Sequence, residues 1–144
     1  MSNKLLSLML LCLLLFGRPS LAAVCESETH PGITALFVEA STKQEELRSN
    51  QWVYSYRELI RKSASFCLVD KEDRALLTVS IIGVNADPEG VSAAMSVVSF
   101  FATGGHSYLD HALYVTGRNR LELSAKDALA DLDGDLERHK KSGH

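Results

Sequence analysis

Hydrophobic positions recur along the 144-residue chain with two periods, and the switches between them mark the elements. Ile33 to Ala40 is a short β-branched and aromatic run that reads as a buried strand. Ser41 to Ser49 is polar and charged, with Thr42 and Glu45 at capping-box spacing, which suits a helical turn. From Trp52 the period lengthens. On a helical wheel Trp52, Val53, Tyr56, Leu59, Ile60 and Ser63 share one stripe about 120° wide, while Arg57, Glu58, Arg61 and Lys62 fall outside it. With Asn50 as the cap, the pattern predicts a helix over 50–64.

The short period then returns. Ser65 to Asp70 is a second strand, ended by the charged turn Lys71-Glu72-Asp73-Arg74. Ala75 to Val84 is a third, with Leu77, Val79 and Ile81 on one face. Asn85 to Gly90 is a loop by its turn residues, and Val91 to Ala102 is a long fourth strand. Thr103 to His106 turns the chain, Ser107 to Thr116 is the fifth strand, and Gly117-Arg118-Asn119 turns it again. The last element is helical: Ala125, Ala128, Leu129, Leu132 and Leu136 cluster within about 100°. Ser124 and Asp127 are spaced as a capping box, and Gly134 lies opposite the stripe, where it costs propensity but no packing. His139 to His144 reads as a frayed tail, with 141–144 disordered. No internal repeat interrupts the series.

The order is β-α-β-β-β-β-α. A helical connection should make the first two strands parallel, and the short turns after them should give an antiparallel meander. Each helix has one apolar stripe, so both pack most simply on one face of a single sheet. The expected fold is an α+β two-layer sandwich with a mostly antiparallel sheet, occupying one domain over 23–140.

Residues 1–22 stand apart from this domain. Met1 to Lys4 is a short positive start, Leu5 to Phe16 an unbroken apolar run, and Ser20-Leu21-Ala22 places small residues where a signal peptidase reads them. The run is too short to span a bilayer, so it reads as a secretory leader cleaved near Ala22, and the chain as periplasmic or secreted with no transmembrane segment. Cleavage removes Lys4 and Arg18 and no acid, which takes the net charge from −3 to −5. A mildly acidic exported domain has no electrostatic footprint for nucleic acid.

Cys12 leaves with the leader, so Cys25 and Cys67 remain. In an oxidising compartment the pair reads as one disulfide, whose loop closure stabilises by roughly 4 kcal/mol. A lipid on Cys25 is disfavoured, because Val24 and Ala22 match a lipobox poorly. Cys67 as a nucleophile is disfavoured by its apolar setting, Phe66-Cys67-Leu68-Val69.

The stretch Arg57-Glu58-Leu59-Ile60, Phe66-Cys67-Leu68-Val69-Asp70, Ala75-Leu76-Leu77-Thr78-Val79-Ser80-Ile81 resembles small α/β modules of bacterial envelope proteins. The amino-terminal domain of TolB and the periplasmic domains of curli-secretion lipoproteins are of this kind. In them an amphipathic helix leads into a strand, a charged turn and a second alternating strand. The resemblance covers about 30 residues, and the chain departs from the lipoproteins in its lipobox. It implies an interaction module rather than an enzyme.

Catalytic and metal chemistry find little footing. His106 and His111 lie on opposite faces of a strand, and His106 and Asp110 are about 13 Å apart along one face, so neither pair shares an ion. His139 and His144 sit in the tail. Asp131-Leu132-Asp133-Gly134-Asp135 lacks EF-hand spacing and reads as the solvated face of the last helix. Ser96 and Ser99 have no His and Asp at motif spacing, and no nucleophile elbow, phosphate-cradling loop or zinc-protease motif occurs. Glu39, Asp70 and Asp110 are left as carboxylates that strand ends might assemble for a small hydrolase. No cofactor is expected.

The fourth strand is apolar on both faces: Ala93, Met95, Val97 and Phe101 alternate with Ala94, Val98 and Phe100. One face must meet the helices, and the other is then exposed, with Tyr108 and Tyr114 on one face of the neighbouring strand. Val98, Phe100, Tyr108 and Tyr114 are accordingly the candidate contacts for a protein partner or a self-dimer. The alternative is that a loop or the disulfide-tied N-terminal segment covers them. The function expected is non-catalytic protein binding, as an envelope assembly or accessory factor. The runner-up is a periplasmic immunity protein or inhibitor capping a toxin or hydrolase.

Overall fold

A computed structural model describes residues 25, 32–87, 89, 91–102 and 107–142. The segment 1–22 read above as a leader, the expected turn over 103–106 with His106, and His144 lie outside the described residues. Strand β1 (Thr34–Thr42) leads to helix α1 (Leu47–Lys62) and the short strand β2 (Phe66–Leu68). A 3-10 turn (Glu72–Arg74), β3 (Leu77–Asn85), β4 (Ser92–Phe101) and β5 (Ser107–Gly117) follow. A second 3-10 turn (Arg118–Arg120) then enters helix α2 (Leu121–Ser142). The order matches the sequence pattern, and the fold is α+β with a five-stranded mixed sheet arranged β2-β1-β3-β4-β5.

β1 and β2 are parallel, as the helical link requires, with Thr34 opposite Phe66 and Leu36 opposite Leu68. The next step corrects the expected meander. β3 does not pair with β2. It lies on the far side of β1 and parallel to it, from Leu36 opposite Leu77 to Thr42 opposite Gly83. Lys71 to Arg74 is therefore part of a crossover and not a hairpin turn. A parallel connection normally needs a dozen or more residues to return along the sheet. Here β3 begins at the level of Leu36, where β2 stops, so residues 69–76 need only cross β1, about 10 Å. Val69 N–H donates to Leu36 O (3.0 Å) and Leu76 N–H to Ala35 O (2.9 Å), fastening both ends of the link. The antiparallel meander runs from β3 through β4 to β5.

Both helices bury their stripes against one face of the sheet. Trp52, Tyr56 and Ile60 of α1 and Ala125, Ala128, Leu132 and Leu136 of α2 pack on Leu36, Val38, Leu77, Val79, Ile81, Met95 and Val97. The helix ends differ from expectation for local reasons. α1 starts at Leu47, ahead of Asn50, because Asn50 is used to tie down the loop: its Nδ2 donates to Lys43 O (3.0 Å) and its Oδ1 accepts from the Thr42 hydroxyl. Ser63 ends α1, its Oγ accepting from the N–H groups of Ser65 (3.1 Å) and Phe66 (3.2 Å). α2 starts at Leu121, so Ser124 is not a cap. Instead its Oγ accepts the Trp52 indole N–H (3.1 Å). α2 also continues through the expected tail to Ser142, where His139 packs 4.7 Å from the Phe101 ring and three basic residues suit a helix C-terminus.

On the opposite, outer face the disulfide joins Cys25 to Cys67, with Cα atoms 5.8 Å apart. Cys25 packs there with Phe37 and Ala102 on a small second core of Ala35, Val69 and Ala75. The β3–β4 loop is held by Asp87, which accepts from the Ser92 hydroxyl and from the N–H groups of Ser92 (2.7 Å) and Val91 (3.0 Å); these bonds lower its carboxyl to about 2.

Gly83 fixes how closely α1 approaches the sheet. A Cβ there would lie 2.7 Å from Ser49 Cβ and 2.9 Å from Thr42 Cγ2, and Ser49 is fully buried. Gly83→Ala must therefore push α1 off β3, and a loss of about 1–3 kcal/mol in urea unfolding is expected. An unchanged midpoint would show that the helix does not sit this close.

Candidate functional site

The pairing registers arrange the outer face in rows. Glu39, Ser80, Val98 and His111 form one row across β1, β3, β4 and β5, and Ser41, Ile82, Ser96 and Leu113 form the next. Val84, Ala94 and Val115 follow. Ile82 (57% exposed), Val84 (46%), Leu113 (66%) and Val115 (66%) thus make a largely apolar patch across β3, β4 and β5, with Ala94 between Val84 and Val115, Ser96 between Ile82 and Leu113, and the half-buried Val98 in the adjoining row. Cys25 packs over the second core beside β1 and β2, and among the described residues none covers the patch.

The four residues expected to form a binding surface do not all meet. Val98 and Phe100 lie on the outer face, and Tyr108 is opposite Phe100 and exposed (66%). Tyr114 is on the helix side. The register of β4 and β5 shifts between Ser99 and Phe100, so that Ser99 pairs with Asp110 but Phe100 with Tyr108, and Leu109 is the extra residue. A bulge reverses the alternation on its far side, which separates two tyrosines at even spacing. Leu109 packs against the main core, and Tyr114 sits with its ring centroid 6.1 Å from Trp52. Ile82, Val84, Leu113 and Val115 take the places that the alternation had assigned to Tyr114. Their signal was present in β3, where Ile82 and Val84 are apolar out of phase with Leu77, Val79 and Ile81.

The sequence matches no protein-family model and no curated protein. The site is therefore argued from its own geometry.

Beside the patch, the margin of β5 and the flank of α2 enclose a seam. At one end Leu113 to Gly117 face Arg120, Leu123, Ser124 and Asp127 across a cleft of about 350 Å³. At the other, Asp110 and Ala112 face Asp131 and Asp135. Asp127, Asp131 and Asp135 recur every four residues and so form one stripe of α2. The segment read as a uniformly solvated face turns part of its acid toward the sheet: Asp131 accepts the Tyr114 hydroxyl (2.8 Å), and the Asp135 side chain is only 14% exposed beside Arg138. Burial first, then the hydrogen bond to Asp131 and the charges of Asp131, Asp110 and Asp127, push the Tyr114 phenol well up. The Tyr56 hydroxyl, fully buried and also pushed up by burial, has no protein hydrogen-bond partner and borders the Asp110–Asp135 end of the seam.

Catalytic groups are not brought together. Glu39 is on the outer face of β1, Asp70 is exposed beside Arg74 (3.6 Å) beyond β2, and Asp110 faces the helix side of β5. Ser96 Oγ lies 3.0 Å from His111 Nε2 on the open outer face. The carboxylate in that histidine's row is Glu39, three strand spacings or about 14 Å away. Among the described residues, no group of three or more His, Cys, Asp or Glu is placed to hold a metal, and no helix is long and apolar enough to cross a membrane.

The seam depends on Trp52 and Tyr114 holding α2 in place. Ser124→Ala leaves a buried indole N–H without its acceptor and is expected to cost about 1–3 kcal/mol, whereas Tyr114→Phe frees an exposed carboxylate and should cost about 1 kcal/mol. Equal losses in chemical denaturation would contradict this ranking.

Proposed function

We propose that the chain is an exported, non-catalytic protein-binding module, an envelope assembly or accessory factor, and that its docking surface is the outer face of β3, β4 and β5. The observation that carries this reading is the exposed, largely apolar patch of Ile82, Val84, Leu113 and Val115, joined through Ala94 and flanked by Val98. Fully burying such a side chain contributes roughly 1.5–3 kcal/mol, and these four are already partly buried, so the patch offsets part of the cost of association and further contacts at its rim must supply the rest. The leader pattern of residues 1–22 supports export.

The occupant we infer is another polypeptide. An edge-to-edge pair of copies through β5 would bring two α2 flanks together, each carrying Asp127, Asp131 and Asp135, and like charges at such a contact are repulsive. A face-to-face pair would keep both α2 helices on its outside, so the experiment below separates it by adduct mass.

Site-specific photo-cross-linking in cells expressing the full chain tests the proposal. A photoreactive residue at Leu113 or Ile82 should give discrete adducts with another protein, and one at Lys126 should not. No adduct from either outer-face position, or an adduct of twice the chain's own mass, overturns it.

A further inference from the structure

The geometry points to strand addition at β5: an extended partner segment alternating Lys or Arg with Val, Ile or Leu pairs with the free margin of β5 and lies in the seam beside α2. This rests on the protein-binding reading above and names both the part of the surface and the chemistry of the partner.

The margin itself is the first argument. β5 has 11 residues and pairs only with β4 among the described strands, whereas the strand at the other margin, β2, has three. An open strand presents a row of unpaired N–H and C=O groups, which proteins blunt with lysine, proline, short length, a bulge or an inward-pointing charge. β5 is long and has neither lysine nor proline; its bulge at Leu109 and the inward Asp110 lie in its first half, which leaves Ala112 to Gly117 as a regular open margin. Such a margin is the template on which extended peptides add as a further strand.

The two sides of the added strand are the second argument. Its side chains point alternately to the outer face and to the helix side. On the outer face they continue the rows that end at Leu113 and Val115, which are apolar and exposed. On the helix side they enter the cleft of about 350 Å³ toward Asp127 and, where the seam closes to about 10 Å³, lie along its rim beside the exposed Asp131. Four residues of helix advance about 6 Å, and two residues of strand about 6.8 Å, so basic side chains two apart on the added strand keep step with Asp127 and Asp131. Arg120 at the Gly117 end and Arg138, paired with Asp135, leave the attraction concentrated on Asp127 and Asp131. The unpartnered, fully buried Tyr56 hydroxyl borders that same stretch and is an independent polar feature there. A partner with acidic residues at those positions is excluded by the same charges.

Two peptides test the inference against the full chain by NMR titration at low ionic strength: seven residues alternating Lys and Val, and the same peptide with Glu for Lys. The lysine peptide should bind at submillimolar concentration and shift the amides of β5 and of α2 over 127–135, and the glutamate peptide should not. Asp127→Asn/Asp131→Asn/Asp135→Asn, verified as folded by circular dichroism, should weaken the lysine peptide by about tenfold or more. N-methylation of the peptide amides facing β5 should abolish binding, since charge alone does not need them. Equal binding of both peptides, or binding indifferent to N-methylation, overturns strand addition, as does a concentration-dependent dimer that occupies β5. If neither peptide binds while Leu113 still cross-links to another protein, strand addition fails and the protein-binding reading stands. If the cross-links fail as well, both fall.

Discussion

The indole of Trp52 is the contact on which the helix layer depends. It is fully buried, stacked on Tyr56 at 5.2 Å with planes 8° apart, tilted against Tyr114 of β5, and hydrogen-bonded through its N–H to Ser124 of α2. One side chain therefore joins α1 to the second helix and to the strand at the margin of the sheet. An indole is suited to this because it supplies a large apolar surface together with a single donor that must be satisfied when buried. With α2 held by Ser124 at its first turn and by Tyr114 to Asp131 two turns later, its acidic stripe comes to lie along β5.

The bulge at Leu109 completes this arrangement. By reversing the alternation of β5 at one point, it leaves Tyr114 in the helix layer and Tyr108 on the outer face. The consequence is a margin strand with different chemistry on its two sides, aliphatic outside and acidic within. The aliphatic side is open among the described residues and the acidic side is open toward Gly117, and the proposed strand addition rests on this two-sided chemistry.

Much of the fold was legible in the residues. The wheel of Trp52, Tyr56 and Ile60 and the wheel of Ala125, Ala128, Leu132 and Leu136 identified both buried helix faces, and Cys25 with Cys67 gave the disulfide. The crossover over β1 was hidden because a charged tetrapeptide between two apolar runs has the composition of a hairpin turn, and only the register of β2 and β3 against β1 distinguishes the two. Ser124 was hidden for a related reason: its spacing to Asp127 fits a cap, while its partner, Trp52, is remote in sequence. On the outer face, the placement of Val98, Phe100 and Tyr108 was readable from alternation, and Tyr114 was misplaced because one inserted residue reverses that alternation without any glycine or proline to announce it. The aspartate stripe was present as a spacing of four in α2, but its meaning required knowing which strand lay beside it.

The central claim is that β5 is an open margin in the isolated chain, and hydrogen exchange of its backbone amides, followed by NMR, tests it most directly. Every second amide of an antiparallel strand points toward its one neighbour, and the others point away. The account predicts alternation along residues 110–116, with amides directed at β4 protected and the intervening ones exchanging at rates near those of an unfolded peptide. Protection of every amide in that stretch would show that something already occupies the margin, and would contradict the account.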